Sequence, residues 1–421
     1  MSRFLIGAAT AAHQVEGNNI YNDIWAQEQM KTGGYPEKSG AAANHYVTYA
    51  EDIKKMKDAG LNAYRFSLEW SRIEPEEGKY NAEAVEHYRD VIRTCRKNGI
   101  EPVVTLFHFS SPKWLIEKYG WEDMRTAEVF EGYARFVCDA YKEENLSYIC
   151  TINEANIGVL IAKYMRMAME QARKERGALA IGVDVDAMNR MAKEQEKENL
   201  EVFGRKDPAF FVAPRTEKGI EVVKEAHRRA VCAIHELLPG TKAGLSLSLN
   251  DLQWNEEGEA HARQLWQSEF EQFQDALVND DYFGLQNYTR SIIGKDGELP
   301  VAEGREVTQM GYEYYPEGLE HIVRRVYGEL KKEILITENG IATSNDQRRI
   351  AFIEEALAGV EHCIKDGIPL IGYLHWSLID NYEWQSGYSM QFGLIANDAS
   401  HSVKESLAFL GTCGSRLLSF K

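Results

Sequence analysis

A chain of 421 residues with 44% hydrophobic side chains can bury a large core, and its length fits either several ordinary domains or one α/β barrel. Asp and Glu number 65 against 48 Lys and Arg, a formal charge of −17 that repels phosphate backbones and anionic headgroups and argues against nucleic acid and membrane as partners. No apolar run approaches the roughly 18 residues of a membrane helix, and the scattered Cys95, Cys138, Cys150, Cys232, Cys363 and Cys413 lack metal-ligand spacing and read as free thiols of a reducing cytoplasm.

Phe4 opens a first strand. Its apolar run is too short for a secretion signal and passes directly into His13-Gln14-Val15-Glu16, so it is read as structure, not as a leader. The spacing of Tyr46, Tyr49, Ile53 and Met56 predicts a helix over Asn44–Ala59 that stops at Gly60. Leu61–Trp70 reads as the second strand, with Ala63, Arg65, Ser67 and Glu69 on one side. An arginine turned into a barrel is costly unless a carboxylate meets it. A helix over Asn81–Asn98, a strand over Pro102–Phe109 ending near His108, a helix over Thr126–Glu143 and a strand from Tyr148 to Glu154 follow. Strand and helix alternate roughly every 40–50 residues without a shared repeat signature, the rhythm of a (β/α) barrel.

Residues 161–215 break that rhythm. Their first part, to Leu200, is dense in charge and weak in apolar periodicity, and reads as a solvated helical excursion. The competing reading is a lid or subunit contact in which Met165, Met167 and Met169 supply an adaptable surface. A helix over Gly219–Leu238 restores the pattern. Strands are then expected over Lys242–Leu249, Tyr282–Thr289, Ile334–Gly340 and Leu370–Leu378, with helices near Glu317–Tyr327, Asp346–Asp366 and Val403–Ser415. With no Gly, Ser or Pro-rich linker, residues 1–421 read as a single (β/α)8 TIM barrel carrying an extended helical insertion after strand 4.

In such a barrel the active site lies at the C-terminal ends of the strands. Those ends offer Gln14, Arg65, His108, Asn153, Glu154, Tyr288, Glu338 and Trp376, with Glu383 and Trp384 just beyond the last strand. Two of them share a pattern: Ile334-Leu335-Ile336 stops at Thr337-Glu338-Asn339-Gly340, and Tyr148-Ile149-Cys150-Thr151-Ile152 stops at Asn153-Glu154. One glutamate at a strand end is most often a cap or a solvated loop residue. Two delivered to one rim are what glycoside hydrolysis by paired carboxylates requires. Amides and carboxylates mixed with indoles suit a neutral polyhydroxylated ring, and an aromatic share of 11% with 8 Trp and 21 Tyr supplies stacking faces. Phosphate loop, dinucleotide fingerprint and paired histidines are missing, so no metal or cofactor is expected; His108 and His375 also read as core histidines.

Six segments, in order along nearly the whole chain, carry a resemblance. They are Phe4–Gly17, Arg65–Ile73, Thr151–Glu154, Tyr315–Leu319, Ile336–Gly340 and Trp376–Trp384. Through them the sequence resembles glycoside hydrolase family 1, the β-glucosidase family. The resemblance implies a retaining hydrolysis with Glu338 as nucleophile and Glu154 as general acid/base, their carboxyls about 5–5.5 Å apart. It implies that Arg65 and Tyr288 hold the Glu338 carboxyl low while Glu154 stays protonated. Asn153 would meet the sugar 2-hydroxyl, Gln14, His108, Glu383 and Trp384 the other hydroxyls, and Trp376 the underside of the ring. Members acting on 6-phosphorylated sugars resemble one another in a serine at the position of Glu383 and a lysine near Gln391. Glu383, Met390 and Gln391 here imply an unphosphorylated substrate.

The sequence departs from the family at Gln286, where an asparagine is usual, at Phe109, where Trp often follows the histidine, and at Tyr312, where an aglycone-side Trp is common. The excursion also replaces the usual glycine-rich segment after Asn153-Glu154. The expectation is a cytoplasmic β-glycosidase acting on small unphosphorylated β-D-glucosides or oligosaccharides, with a homo-oligomer left open. Alternatives are β-galactosidase or β-fucosidase activity, transglycosylation dominant over hydrolysis, or a non-catalytic sugar-binding barrel.

Overall fold

The computed structural model of the chain describes residues 3–175 and 185–418. Its strands in chain order are β1 (Leu5–Ala9), β2 (Ala63–Ser67), β3 (Glu101–Phe107), β4 (Tyr148–Ile152), β5 (Lys242–Gly244), β6 (Ser246–Ser248), β7 (Asp251–Trp254), β8 (Tyr282–Gln286), β9 (Arg290–Gly294), β10 (Gly297–Glu298), β11 (Glu333–Asn339) and β12 (Leu370–Trp376). The principal sheet runs β5-β4-β3-β2-β1-β12-β11-β8-β6, parallel throughout. Its two end segments are consecutive in the chain, separated only by Leu245, and together they are the expected strand Lys242–Leu249. The lower half pairs with β4, Lys242 opposite Tyr148, and the upper half pairs with β8, Ser246 opposite Gly284. The sheet thereby closes on itself as a TIM barrel.

Longer helices cover the outside: α1 (His45–Asp58), α2 (Ala82–Lys97), α3 (Arg125–Tyr141), α4 (Ile157–Glu175), α5 (Val185–Phe203), α6 (Glu217–Leu237), α7 (Glu259–Glu269), α8 (Gly318–Leu330), α9 (Asp346–Lys365) and α10 (Glu405–Leu418). Local chemistry sets several of their starts. Asn81, Thr216 and Asn345 each accept hydrogen bonds from first-turn backbone N–H groups of α2, α6 and α9, followed by Glu83, Glu217 and Asp346 at the positive end of the helix dipole. The apolar faces of these helices and of the strands form one large cluster between the two layers. A smaller cluster contains Leu5, Ala63, Val103, Tyr148, Tyr282 and Leu335, which come from six different strands and meet only inside the barrel.

Two features differ from the sequence reading. The excursion begins earlier than residue 161, because α4 starts at Ile157, directly after the Glu154 turn. Its middle, residues 176–184, lies outside the described residues. Met165, Met169 and Met191 are exposed, as expected of a solvated segment, yet Phe203 and Phe211 are buried in the main core and tie its return to the barrel. A second, three-stranded sheet of order β10-β9-β7 also stands on the rim, formed by chain that follows β6 and β8. No expectation of it stands in the sequence reading, because β7, β9 and β10 are only 4, 5 and 2 residues long, too short for a period to register.

Candidate active site

The end of β11 approaches β12 so closely that a side chain at position 340 would collide with the Trp376 carbonyl; a Cβ there would stand 1.9 Å from that oxygen. Gly340 therefore lets the Thr337-Glu338-Asn339 end of β11 lie against β12, and Asn339 anchors it by donating to the Asn287 carbonyl at 2.6 Å. Glu338 is left pointing into the barrel mouth. Arg65, fully buried on β2, donates to Glu338 Oε1 at 2.5 Å, and the Tyr288 hydroxyl donates to Oε2 at 2.6 Å. The carboxylate that a buried barrel arginine requires is thus Glu338.

Across the mouth, the chain leaves β4 through Asn153, whose N–H still pairs with the Phe107 carbonyl, and then turns sharply at Glu154. Glu154 has φ 42°, a left-handed conformation uncommon for a residue with a side chain. The Ser246 hydroxyl steadies that turn by accepting from the Glu154 N–H at 3.2 Å. Asn153 Oδ1 accepts from Arg65 Nη2 at 2.6 Å, Gln286 Nε2 at 2.7 Å and Ser246 Oγ at 3.3 Å. With its oxygen so occupied, Asn153 presents its amide nitrogen toward His108 Nε2, 3.1 Å away. Gln286, a departure in the sequence, still delivers an amide to this network.

The residues expected at the rim are brought together unevenly. Gln14, His108, Glu154, Tyr288, Glu338, Trp376, Glu383 and Trp384 line one cavity of about 210 Å³. Arg65 and Asn153 lie behind its wall. Gln14 Nε2 donates to Glu383 Oε2 at 3.1 Å and to the Tyr382 carbonyl at 2.9 Å, which fixes the loop after β12 against the first strand-to-helix turn. The His108 and Trp376 rings stack with centroids 5.7 Å apart. Among the described residues, no cluster of three His, Cys, Asp or Glu side chains is placed to hold a metal ion.

The sequence profile of glycosyl hydrolase family 1 matches residues 1–176 and 286–409. The chain belongs to glycosyl hydrolase family 1. It is 28% identical to β-glucosidase A of Thermotoga maritima over 94% of this chain and 93% of that one. The crystal structure of β-glycosidase BGL167 superposes with a TM-score of 0.87 at 38% identity, covering 98% of this chain and 96% of the other. A β-glucosidase from Thermotoga maritima in complex with glucoimidazole gives a TM-score of 0.79 at 25% identity over 99% of each chain.

Electrostatics differentiate the carboxyls of this family 1 glycoside hydrolase. Burial pushes Glu154 well above the ordinary glutamate value, and the negative charge of Glu338 raises it further. Burial also raises Glu338, against the lowering by Arg65 and Tyr288. Both partners do lower the Glu338 carboxyl, as the sequence leads one to expect, but dehydration outweighs them, and their effect is to keep Glu338 less basic than Glu154. Glu383 is pushed up to about 8 by burial and by the charge of Glu338, against the Gln14 amide. His108 is held neutral by burial and by the Arg65 charge.

Sequence reasoning missed several cavity residues of this family 1 chain. Ser248 lines the cavity at the end of the fifth stave, where a strand-end rule would have found it. Met310, Phe392 and Ile157 also line it, from segments outside the strand ends, and no strand-end signal points to them.

Proposed function

We propose that the protein is a retaining β-glycosidase acting on unphosphorylated β-D-glucosides by double displacement, with Glu338 as nucleophile and Glu154 as general acid/base. The observation that carries the reading is the pairing of a carboxylate held at both oxygens, by Arg65 and Tyr288, with a second carboxyl of higher proton affinity in the same cavity. In the first step a Glu338 oxygen attacks the anomeric carbon while Glu154 gives its proton to the departing glycosidic oxygen. The glycosyl ester neutralises Glu338, so the charge that raised Glu154 disappears and Glu154 becomes acidic enough to stay ionised. It then takes a proton from water as that water attacks the anomeric carbon and releases Glu338.

The remaining cavity groups suit a hexose. Among the described residues, Gln14 Oε1 and His108 Nδ1 are buried without a protein partner, and sugar hydroxyls would complete them. Glu383, uncharged below about pH 8, can donate as well as accept. Asn153, its oxygen engaged by three donors, keeps an N–H to offer a 2-hydroxyl beside His108. Among the described residues, the cavity wall has three glutamates and neither lysine nor arginine, which opposes a phosphorylated sugar. Binding of glucoimidazole by the Thermotoga maritima relative supports a glucose-type ring. The exposed Cys232 thiol fits a reducing, cytoplasmic setting.

Incubation with a series of 2-deoxy-2-fluoro-β-D-glycosyl fluorides, followed by peptide mass mapping, tests the assignment. The gluco compound is expected to label fastest and the ester to sit on the peptide carrying Glu338. A label on any other carboxylate overturns the mechanism, and faster labelling by the galacto or fuco compound overturns the glucoside preference.

A further inference from the structure

Glu28 is a buried carboxylate that the proposed mechanism does not use. It is the last residue of the short helix Asp23–Glu28, and its two oxygens hold different segments of the chain. Oε1 accepts from His13 Nε2 at 2.9 Å, while Oε2 accepts from the Ser39 N–H at 2.9 Å and from the Ser39 hydroxyl at 2.7 Å. A dehydrated carboxylate is tolerated where donors meet both oxygens, and losing either set is costly.

The histidine on Oε1 has a fixed orientation. Asn22 caps the same helix, so its Oδ1 is taken by the Trp25 N–H at 2.7 Å and its amide nitrogen is what faces His13 Nδ1, 2.9 Å away. His13 Nδ1 therefore accepts, Nε2 carries the proton toward Glu28, and the ring cannot turn over without losing both bonds. Held in this way, it lies 6° from parallel to the Trp384 indole, with centroids 5.9 Å apart.

Trp384 needs such support. Its φ of 49° is in the left-handed region, uncommon for a bulky side chain, and a residue stays there only where its surroundings over-determine it. The His13 ring bears on the indole, and the segment running to Ser39 bears on the turn that carries it. The Tyr382 hydroxyl donates to the Glu37 carbonyl at 2.7 Å, and the Tyr388 N–H donates to Glu37 Oε2 at 2.8 Å. The Tyr388 hydroxyl donates to the Ser39 carbonyl. Glu28 thus joins both supports. Consecutive residues also grip consecutive residues, His13 the Trp384 ring and Gln14 the Glu383 carboxyl. Trp384 lines the candidate active-site cavity, whereas His13 and Glu28 stand behind it.

We propose that His13 and Glu28 are positioning residues that act on the sugar through Trp384, setting the pose in which the indole meets the ring being transferred. This inference rests on the β-glycosidase reading and concerns how that same site holds its sugar.

The test follows formation of the Glu338 ester from whichever 2-deoxy-2-fluoro-β-D-glycosyl fluoride labels fastest, a reaction in which only the sugar and a fluoride take part. His13→Ala is expected to lower kinact/KI by at least about fivefold. Glu28→Gln, which removes one acceptor oxygen at nearly constant volume, is expected to lower it by at least about threefold. In a Trp384→Ala background, itself slowed, each change is expected to cost less than about twofold, because the group it acts through is gone. Intact mass followed over days registers variants slowed by several orders of magnitude, and a labelling rate constant, unlike a yield, does not change when part of the sample is unfolded. Equal losses with and without Trp384, or an undiminished rate in either single variant, overturn this inference alone. Absence of labelling of the parent by every glycosyl fluoride overturns the β-glycosidase reading and this inference with it.

Discussion

Tyr288 donates its hydroxyl to the one oxygen of Glu338 that Arg65 does not hold, at 2.6 Å against 2.5 Å for the guanidinium. The two donors come from different staves of the barrel, so the carboxylate is fixed in orientation as well as in charge. Removing the phenol isolates half of that arrangement. Tyr288→Phe is expected to reduce kcat by roughly 10- to 100-fold, the worth of a hydrogen bond to a charged group of about 1.5–3 kcal/mol. The Tyr288 bond lowers the proton affinity of Glu338, so its loss also moves the acid limb of the pH–rate profile upward. A variant with full kcat and an unshifted acid limb would show that Arg65 alone suffices.

The roles proposed for the two glutamates separate by leaving group. Glu154→Gln removes the proton donor, and hydrolysis of an alkyl glycoside is expected to fall by roughly 100- to 10,000-fold, the usual contribution of general acid catalysis. Formation of the glycosyl ester from a glycosyl fluoride or a dinitrophenyl glycoside, which leave without protonation, should fall far less. Glu338→Ala is expected to abolish turnover of all of them, since the acceptor of the covalent bond is gone. Pre-steady-state release of dinitrophenolate checks this: a burst retained in Glu154→Gln and lost in Glu338→Ala agrees, and the reverse pattern exchanges the roles.

These residues were legible in the sequence for a physical reason. A buried parallel strand is nearly continuous apolar sequence, so Glu338 after Ile334-Leu335-Ile336 and Glu154 after Tyr148–Ile152 stand out as costs that must be met by function. Arg65 stood out likewise on β2. What the sequence withheld depended on distances through space. Leu245 marks a change of pairing partner and not a gap in apolar pattern, so the break between β5 and β6 left no trace. The partners of Glu338 were readable, but the dehydration that outweighs them is a property of the closed mouth.

The pH dependence follows from the same groups. The proposed mechanism needs Glu338 ionised and Glu154 protonated, and both are raised, Glu154 farther. The kcat/KM profile is therefore expected to be a bell whose acid limb lies above the ordinary glutamate value of 4.5, with two apparent constants that belong to the coupled pair. Glu383 adds a third effect: as pH rises through about 8 it loses its proton and its ability to donate, so KM should climb there. Glu383→Gln keeps a neutral donor and acceptor at all pH values. Its KM, whatever its absolute size, is expected to stay level across that range, and a climb equal to that of the parent would place the titration elsewhere.

Stability has its own pH window, set far from the site. Asp52 on α1 accepts from His45 Nδ1 at 3.0 Å and His401 Nδ1 at 2.9 Å, and pairs with Lys55 at 3.1 Å. His45 continues inward through the Tyr64 hydroxyl to Thr10, so the cluster links α1, the first two staves and the segment before α10. Burial opposes ionisation of Asp52, but the hydrogen bonds from His401 and His45 outweigh it and hold the carboxyl far below the usual range. The Asp52 bond in turn raises His401. A lowered carboxyl stabilises the fold above its unfolded value, near pH 4, and that contribution is lost as pH falls through the folded value. A raised histidine stabilises fully below its unfolded value, near pH 6.5, and that contribution is lost as pH rises through the folded value. Both terms are complete between about pH 4 and 6.5. Asp52→Asn is therefore expected to cost about 3–5 kcal/mol in that window, the price of breaking a buried pair, and less above it. Urea unfolding of both proteins at about pH 5.5 and pH 8.5, on either side of the histidine's unfolded value, measures the difference; a deficit that grows toward alkaline pH would contradict the assignment to His401.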